Sequence, residues 1–489
     1  MPSLMIQGCG SDVGKTVLVA GLCRLLTNRG FSVRPFKPQN MSNNAAVTSD
    51  GGEIGRSTAL QALACRVPPS VDMNPILLKP QSDRGAQLIV RGRRVGDFPA
   101  RAHGRSKQEL LDIAVASYRT LEHAADWVVL EGAGSPAETN LRQHDIANMG
   151  FAHAANVPVV LVGDINRGHV IAALVGAHAV LDDADRARVR GFIINKFRGD
   201  RSLFDEGLTT IAQRTGWPSL GVVPWLPSAM LLPEEDAMRL ESAASIATSA
   251  EARVARIAVV RLKHIANFDD FDPLRHEPHV QFSFVDPREP LPFDIDLLIL
   301  PGSKSTIADL EMLREYGWQH ELHAYLRRGG RVLGICAGMQ MLGRIVRDPQ
   351  RIEGTREAIE GFGLLDLVTE LTEHKLLREV GGTETTTGAR VSGYEMHIGR
   401  SSGPATLQPM IRFDDGTLDG AVSANERVLG CHVHGLFQST GFRAAVLQSL
   451  GAQSASADQL ARTDAILDDI AATLEHSISI DTLCASAAA

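Results

Sequence analysis

The sequence predicts an α/β protein of two domains, each built on a parallel sheet with helices on its faces. Three observations carry this. Short apolar runs alternate with amphipathic stretches from residue 4 to about 223, the alternation stops in a stretch rich in Pro, Ala and Ser, and it resumes at Arg256. Alternating strand and helix requires crossover connections, and crossovers build parallel sheets covered on both sides. A chain of 489 residues holds two large domains, or three at about 150 residues each.

Taken in order, Leu4–Gln7, Val33–Phe36, Trp127–Leu130, Val157–Val162 and Gly191–Asn195 read as strands. W-V-V-L and V-P-V-V-L-V are near-continuous β-branched and aliphatic runs, the composition of strands buried on both faces. These place a first domain over 1–235. Residues 236–255, which contain E-S-A-A-S-I-A-T-S-A-E-A, read as a linker. Arg256–Val260, Val280–Val285, Asp296–Pro301 and Arg331–Cys336 are the strands of a second domain over 256–450, with one amphipathic helix between Ser305 and Arg328. Residues 451–489 read as a C-terminal tail, helical between Asp458 and Leu474.

Composition excludes several function classes. Lys and Arg total 49 against 57 Asp and Glu, a net charge of −8 without a long like-charge block, which argues against a nucleic-acid partner bound through its phosphates. The 44% hydrophobic and 22% charged content is that of a soluble globular chain. No apolar run reaches the roughly 18 residues of a membrane span, so no membrane partner is expected. The opening M-P-S-L-M-I-Q-G-C-G has no basic region or cleavage site of a signal peptide, and the six cysteines form no disulfide-scaffold spacing. A reducing, cytoplasmic location is expected.

Gly8 to Thr16 reads G-C-G-S-D-V-G-K-T, after one predicted strand and before one predicted helix. Gly8, Gly10 and Gly14 allow backbone N–H groups, with those of Ser11, Asp12 and Val13, to turn in on phosphate oxygens at a helix N-terminus. Lys15 would reach the outer phosphates of ATP and Thr16 would ligate Mg²⁺. The first glycine stands one residue earlier than the strict G-x-x-x-x-G-K-T pattern requires. Glu131, at the end of W-V-V-L and opening E-G-A-G, is a candidate second Mg²⁺ ligand, since strand ends face the ligand crevice. Asp50, with Glu53, Asp145 and Asp164, is a weaker one. Asn195, in F-I-I-N-K-F, is either a reader of the base edge or a satisfied turn residue.

Gly334-Ile335-Cys336-Ala337-Gly338 follows the strand R-V-L and precedes a helical run. A nucleophile on a strand-to-helix turn needs small neighbours, because the backbone there is strained and crowded. A helix N-terminus also favours a thiolate. His434, 98 residues on in C-H-V-H-G-L-F, is the candidate base. Pro301-Gly302-Ser303, after another strand, can offer amides to an oxyanion. Cys431 and His432 lack the partners of a four-ligand zinc site.

The first-domain loop and E-G-A-G resemble the dethiobiotin synthetase-like ATPases, whose domain is of P-loop NTPase type. P-G-S, G-I-C-A-G-M-Q and H-V-H-G resemble class I glutamine amidotransferases. Joined in this order the two resemble the glutamine-hydrolysing cobyrinic acid amidases of cobalamin biosynthesis. F-K-P-Q-N-M-S-N-N, G-G-E-I-G-R, M-N-P-I-L-L-K-P, N-F-D-D-F-D-P-L and G-Y-E-M-H-I-G extend the likeness to about residue 440. The resemblance implies ATP- and Mg²⁺-dependent amidation of the remaining peripheral carboxylates (b, d, e, g) of the corrinoid adenosylcobyrinic acid a,c-diamide. L-glutamine would supply the nitrogen, with Cys336 as nucleophile, His434 as base, and Gly302, Ser303, Gly334, Ala337 and Gln340 around the glutamine and its oxyanion. Lys79, Arg84 and Arg91 are candidate corrinoid contacts, and a homo-oligomer is compatible with the family. The alternatives are the amidase that forms the a,c-diamide, and a nucleotide-dependent regulator with an inert amidotransferase-like domain. One departure stands out: many class I enzymes have H-P-E, whereas this chain has His434-Gly435-Leu436, with no carboxylate at that point to hold the imidazole.

Overall fold

The structure is a computed structural model that describes residues 2–82, 85–99, 105–233, 253–455 and 458–488. Its contacts divide the chain into two compact units, Met1–Glu235 with Ala461–Ala489, and Asp236–Leu460.

The first unit is built on six parallel strands, β1 (Ser3–Gly8), β2 (Val33–Phe36), β3 (Trp127–Glu131), β4 (Val159–Asp164), β5 (Val189–Phe197) and β6 (Ser219–Pro224), in the order β6-β5-β4-β1-β3-β2. Side chains alternate across the sheet. Leu4 and Ile6 enter the core on one face, and Met5 enters the core on the other. That is why these strands read as continuous apolar runs. The neighbours of β1 are β3 on one side and β4 on the other, so the loop after β1 opens at a topological switch point, where α/β sheets bind ligands. Helix α1 (Lys15–Asn28) follows that loop directly. Helix α2 (Arg56–Ala64) packs beside α1.

Two features differ from the sequence reading. Between β2 and β3 lies a four-stranded sheet made by Gln39–Met41, Ile76–Ser82, Gly85–Val90 and Arg93–Pro99, too short and too polar to show as an apolar alternation. The C-terminal tail is not an appendage following the second domain. Its helices Gln459–Ser477 and Ile480–Ala488 complete the first unit. Ile466, Leu467, Ile470 and Leu474 join the core of Leu18 and Leu22, and a Cβ on Gly21 would come within 2.6 Å of both Ile470 and Leu474. The buried Arg24 guanidinium pairs with Asp464 and Asp468. The Ser479 amide donates to Leu220 O at 2.8 Å. The expected linker, 236–255, falls mostly outside the described residues; the first strand after it begins at Ala255.

The second unit carries β7 (Ala255–Val260), β8 (Val280–Val285), β9 (Leu297–Leu300) and β10 (Arg331–Ile335), ordered β8-β7-β9-β10 and all parallel. The single helix expected between Ser305 and Arg328 is two, α3 (Thr306–Glu315) and α4 (Trp318–Arg327). Gly317 separates them at φ 78°, a left-handed conformation that ends one helix and admits the next. Helix α5 (Ala337–Leu342) leaves the end of β10. A second, mostly antiparallel sheet includes β11 (Arg390–Ser402). Strand β12 (Val428–Cys431) pairs with β10, and β13 (Val433–His434) crosses to pair with β11 at Tyr394↔His434.

Because the tail is part of the first unit's core, Leu474→Ala should destabilise that unit by about 2–5 kcal/mol, the usual cost of an aliphatic cavity. Chemical denaturation of the full chain checks this; an unchanged transition would mean that the helix adds nothing to that core.

Candidate active sites

The phosphate loop bridges Gly8, at the end of β1, and Lys15, at the start of α1. Val13 is tucked under it, and a Cβ on Gly8 would lie 2.5 Å from Val13 Cγ2. Gly14 has φ 92°, and a Cβ there would lie 2.4 Å from Asn195 Nδ2, so only glycine fits. Asn195 Nδ2 donates to Val13 O at 2.8 Å, so this amide braces the loop. Asp12 has φ 58°, its carbonyl accepts from Lys196 Nζ, and its carboxylate takes Arg167 at 2.7 Å. Ser11 is exposed at the loop tip. Lys15 Nζ donates to Gly10 O at 3.2 Å and Gly134 O at 3.1 Å, which ties the loop to the segment after Glu131.

Glu131 is 1% exposed and is the hub of this site. Its Oε1 accepts from Thr16 Oγ1 at 2.8 Å and from Lys37 Nζ at 3.1 Å, and its Oε2 accepts from Gln61 Nε2 at 2.5 Å. Thr16 and Glu131 thus stand together, as expected, while sequence reasoning misses Lys37 and Gln61; Lys37 lies inside F-K-P-Q-N-M-S-N-N, which carries only a family likeness. Asp50 is not brought to this cluster. It is exposed in a hairpin turn and accepts from the Val71 amide at 3.3 Å. The other acidic candidates bond elsewhere: Glu53 to the buried Lys79, Asp145 to the amides of Ala147, Asn148 and Gly150, and Asp164 to Lys196. Lys79 is therefore an interior ion pair and not an open corrinoid contact; Arg84 lies outside the described residues.

Cys336 stands at the turn from β10 to α5 with φ 54° and ψ −112°, a strained conformation for a non-glycine residue. Its neighbours must be small: a Cβ on Gly338 would sit 1.9 Å from Leu300 O, and one on Gly334 would sit 2.6 Å from the Met339 amide. The Cys336 amide donates to Cys431 O at 2.8 Å, and Sγ lies 3.5 Å from Met396 O. The His434 imidazole lies close enough to the thiol to act on its ionisation. Burial raises the thiol pKa, but His434, with His432 and Lys304, outweighs it and leaves Cys336 below its ordinary value. Cys9 shows the contrast: burial pushes its thiol up to about 12 against the weaker pull of Lys15.

The imidazole is held from a direction the sequence does not disclose. His434 Nδ1 lies 2.6 Å from Asp270 Oδ2, and the other Asp270 oxygen accepts the Gly435 amide at 2.9 Å. Burial pulls His434 down, and the Asp270 charge and hydrogen bond, with Cys336, more than reverse it. Tyr394 stacks on the ring at 5.5 Å between centroids. Asp270 is 164 residues from His434, in N-F-D-D-F-D-P-L, so only folding reveals their contact. Asp270, His434 and Cys336 are the residue types of a nucleophilic triad, in which the acid holds the imidazole that acts on the thiol.

Of the residues expected around the glutamine, Gly302 lies against the His434 ring, where its Cβ would come within 2.9 Å of Cε1. Gly334 and Ala337 flank the elbow. Gln340 is buried, its Nε2 on Ile398 O at 3.0 Å and its Oε1 3.4 Å from Thr306 Oγ1. Ser303 turns away, donating to Asp309 at 2.6 Å, so its hydroxyl braces the loop instead of facing the thiol.

A phosphate loop on a switch-point sheet and a cysteine triad on a second sheet define a nucleotide-binding amidotransferase. Residues 4–238 match the CobQ/CobB/MinD/ParA nucleotide binding domain, and residues 256–442 match the CobB/CobQ-like glutamine amidotransferase domain. The chain is 61% identical over 483 residues to a cobyric acid synthase from Caulobacter sp. (strain K31), with 99% of each chain covered. It is 55% identical over 490 residues to one from Sphingopyxis alaskensis, covering 100% of this chain and 99% of the relative, and 55% identical over 481 residues to one from Methylorubrum populi, covering 98% of each. The chain belongs to the cobyric acid synthase family.

Asp270→Asn keeps the volume but favours the wrong imidazole tautomer, so glutamine hydrolysis should fall by on the order of 10³–10⁴. Steady-state kcat for glutamate release checks this; turnover within twofold of the parent would remove Asp270 from the triad.

Proposed function

We propose that this chain amidates the remaining b, d, e and g carboxylates of adenosylcobyrinic acid a,c-diamide, using ATP and glutamine. The observation that carries the reading is the Asp270–His434 pair near the Cys336 elbow in a chain alike over its full length to cobyric acid synthases. An inert amidotransferase-like domain would have no reason to retain that arrangement. All six cysteines are free thiols, in keeping with work in the cytoplasm.

A carboxylate does not accept ammonia at neutral pH, because its oxygen leaves too poorly. In the first unit the loop amides and Lys15 would hold the ATP phosphates for transfer of the γ-phosphate to a substrate carboxylate, giving an acyl phosphate that ammonia displaces. Thr16 Oγ1 and Glu131 are hard oxygen donors beside the loop, and such a pair fits Mg²⁺, which takes one or two protein oxygens and fills its shell with phosphate and water oxygens. Bound there, the ion would neutralise charge on the phosphates.

In the second unit Cys336 Sγ attacks the glutamine amide carbon. Amides of the Gly302 and Ala337 segments would receive the oxyanion. His434 passes its proton to the departing nitrogen, which leaves as ammonia, and the neutral imidazole then takes a proton from the water that hydrolyses the thioester to glutamate. Asp270 keeps the ring in the tautomer both steps require.

The two activities separate by mutation. Cys336→Ala should abolish glutamine-supported amidation and retain synthesis with an added ammonium salt, whereas Lys15→Ala should remove synthesis with either nitrogen source. Mass spectrometry of the corrinoid after incubation with ATP, Mg²⁺ and each nitrogen source reads both outcomes. Loss of both routes in Cys336→Ala, or full activity in Lys15→Ala, would defeat the division of labour.

A further inference from the structure

Cys336 has a second histidine beside it that the mechanism above leaves unused. His432 directly follows Cys431, whose carbonyl accepts the Cys336 amide. Its pairing repeats that of His434. Nδ1 meets Asp419 Oδ1 at 2.7 Å, and the other Asp419 oxygen accepts the His432 backbone amide at 2.8 Å. A ring held through Nδ1–H presents Nε2 on its far side, and His432 Nε2 is buried with no hydrogen-bond partner among the described residues. His397 stacks on the His432 ring with centroids 4.0 Å apart and planes 24° from parallel. His397 in turn directly follows Met396, whose carbonyl meets the Cys336 sulfur. The two stacked rings therefore adjoin both backbone contacts of the nucleophile. Rings this close to parallel do not converge their lone pairs on one ion, which rules against a shared metal.

The charged groups around His432 come from several segments. Asp419 is on the segment before β12, Glu395 and His397 are on β11, and Cys336 is at the elbow. Asp270 acts on the neighbouring His434, Arg378 neutralises Glu395, and Lys304 is the third cation near the thiol. Burial pulls the His432 pKa down, but Asp419, with Cys336 and Glu395, raises it overall. Asp419, 2.7 Å from Nδ1, favours the charged form of His432, whereas burial and the His432 charge lower His397.

We propose that His432, clamped by Asp419 and backed by His397, is a positioning residue for glutamine hydrolysis: a second buried imidazolium that holds the Cys336 sulfur anionic while His434 moves the proton. This rests on the amidotransferase reading of the site and adds a member to it.

His432→Asn tests it in the full-length chain. The Asn amide stands where Nδ1 stood, so Asp419 keeps a partner, while Nε2 and the positive charge are lost. The pH at which Cys336 is half-alkylated by iodoacetamide, read by peptide mass spectrometry, should rise by about one unit, slowing labelling about tenfold at a fixed pH below it. The kcat for glutamine hydrolysis should fall about tenfold and KM for glutamine should move less than twofold. His432→Gln restores a nitrogen near Nε2 without charge and should behave like the Asn variant; recovery of the parent profile by Gln would overturn the charge role. An Asn variant with the parent's melting temperature and an unshifted alkylation profile would overturn the proposal as a whole. Should the Asn variant not fold, His432→Gln and Asp419→Asn carry the same measurement: a raised half-alkylation pH supports the charge role, and an unshifted one overturns it. A parent protein that hydrolyses no glutamine would instead sink the amidotransferase reading, an outcome distinct from normal parental turnover that the substitution leaves untouched.

Discussion

A buried thiol is hard to ionise, and the second unit brings charge to it from several strands. Cys336 is buried at 8% exposure, which by itself favours the neutral thiol. The elbow cannot move outward to solve this, since β10 is locked between β9 and β12 and Gly338 is pressed against Leu300 O. The solution is charge brought in on neighbouring strands. β13 delivers His434, the loop after β9 carries Lys304, and against the pull of burial Asp270 and Asp419 raise the pKa of the histidines they hold. Backbone strain at Cys336, of about 1–3 kcal/mol for a non-glycine residue in this region, persists because the surrounding packing allows no alternative.

How much of this the sequence discloses depends on whether a signal is local. The elbow is legible because its demands fall on adjacent positions: a strand before, small residues at Gly334, Ala337 and Gly338, and a helix after. The phosphate loop is legible for the same reason. Asp270 is not, because its role is defined by contact with a residue 164 positions away, and nothing in N-F-D-D-F-D-P-L says which of its acids will be the buried one beside an imidazole. Acidic residues near the loop mislead in the opposite direction. Asp50 and Glu53 sit in a sequence that looks like a ligand segment, yet one accepts from the Val71 amide and the other neutralises Lys79. The C-terminal helices show their periodicity clearly but give no sign of which core they fill, since an apolar stripe names no partner.

The first unit solves a related problem with the opposite sign. Its ligand is anionic, so the site must present positive potential and amide hydrogens without filling itself with side-chain anions. The buried carboxylate beside the loop, Glu131, is satisfied from three directions by Thr16, Lys37 and Gln61. Loop shape is then set by side chains that bond backbone carbonyls, Asn195 on Val13 and Lys196 on Asp12, leaving amide hydrogens to the ligand.

Both sites place their key residue at a strand-to-helix turn, Lys15 after β1 and Cys336 after β10, but the helices differ. Helix α1 runs 14 residues, long enough for its aligned peptide dipoles to place a substantial positive end on bound phosphate. Helix α5 has six residues, less than two turns, and the Cys336 amide at its entrance is given to Cys431 O. A helix that short supports an anion poorly, so the expectation that the helix N-terminus lowers the thiol pKa accounts for little here. The burden passes to side chains, and that is the physical reason for bringing several charged groups to one cysteine. It also makes the sulfur's reactivity adjustable one residue at a time, because charges carried on separate strands can be removed singly, whereas a helix dipole cannot be removed without unfolding the helix.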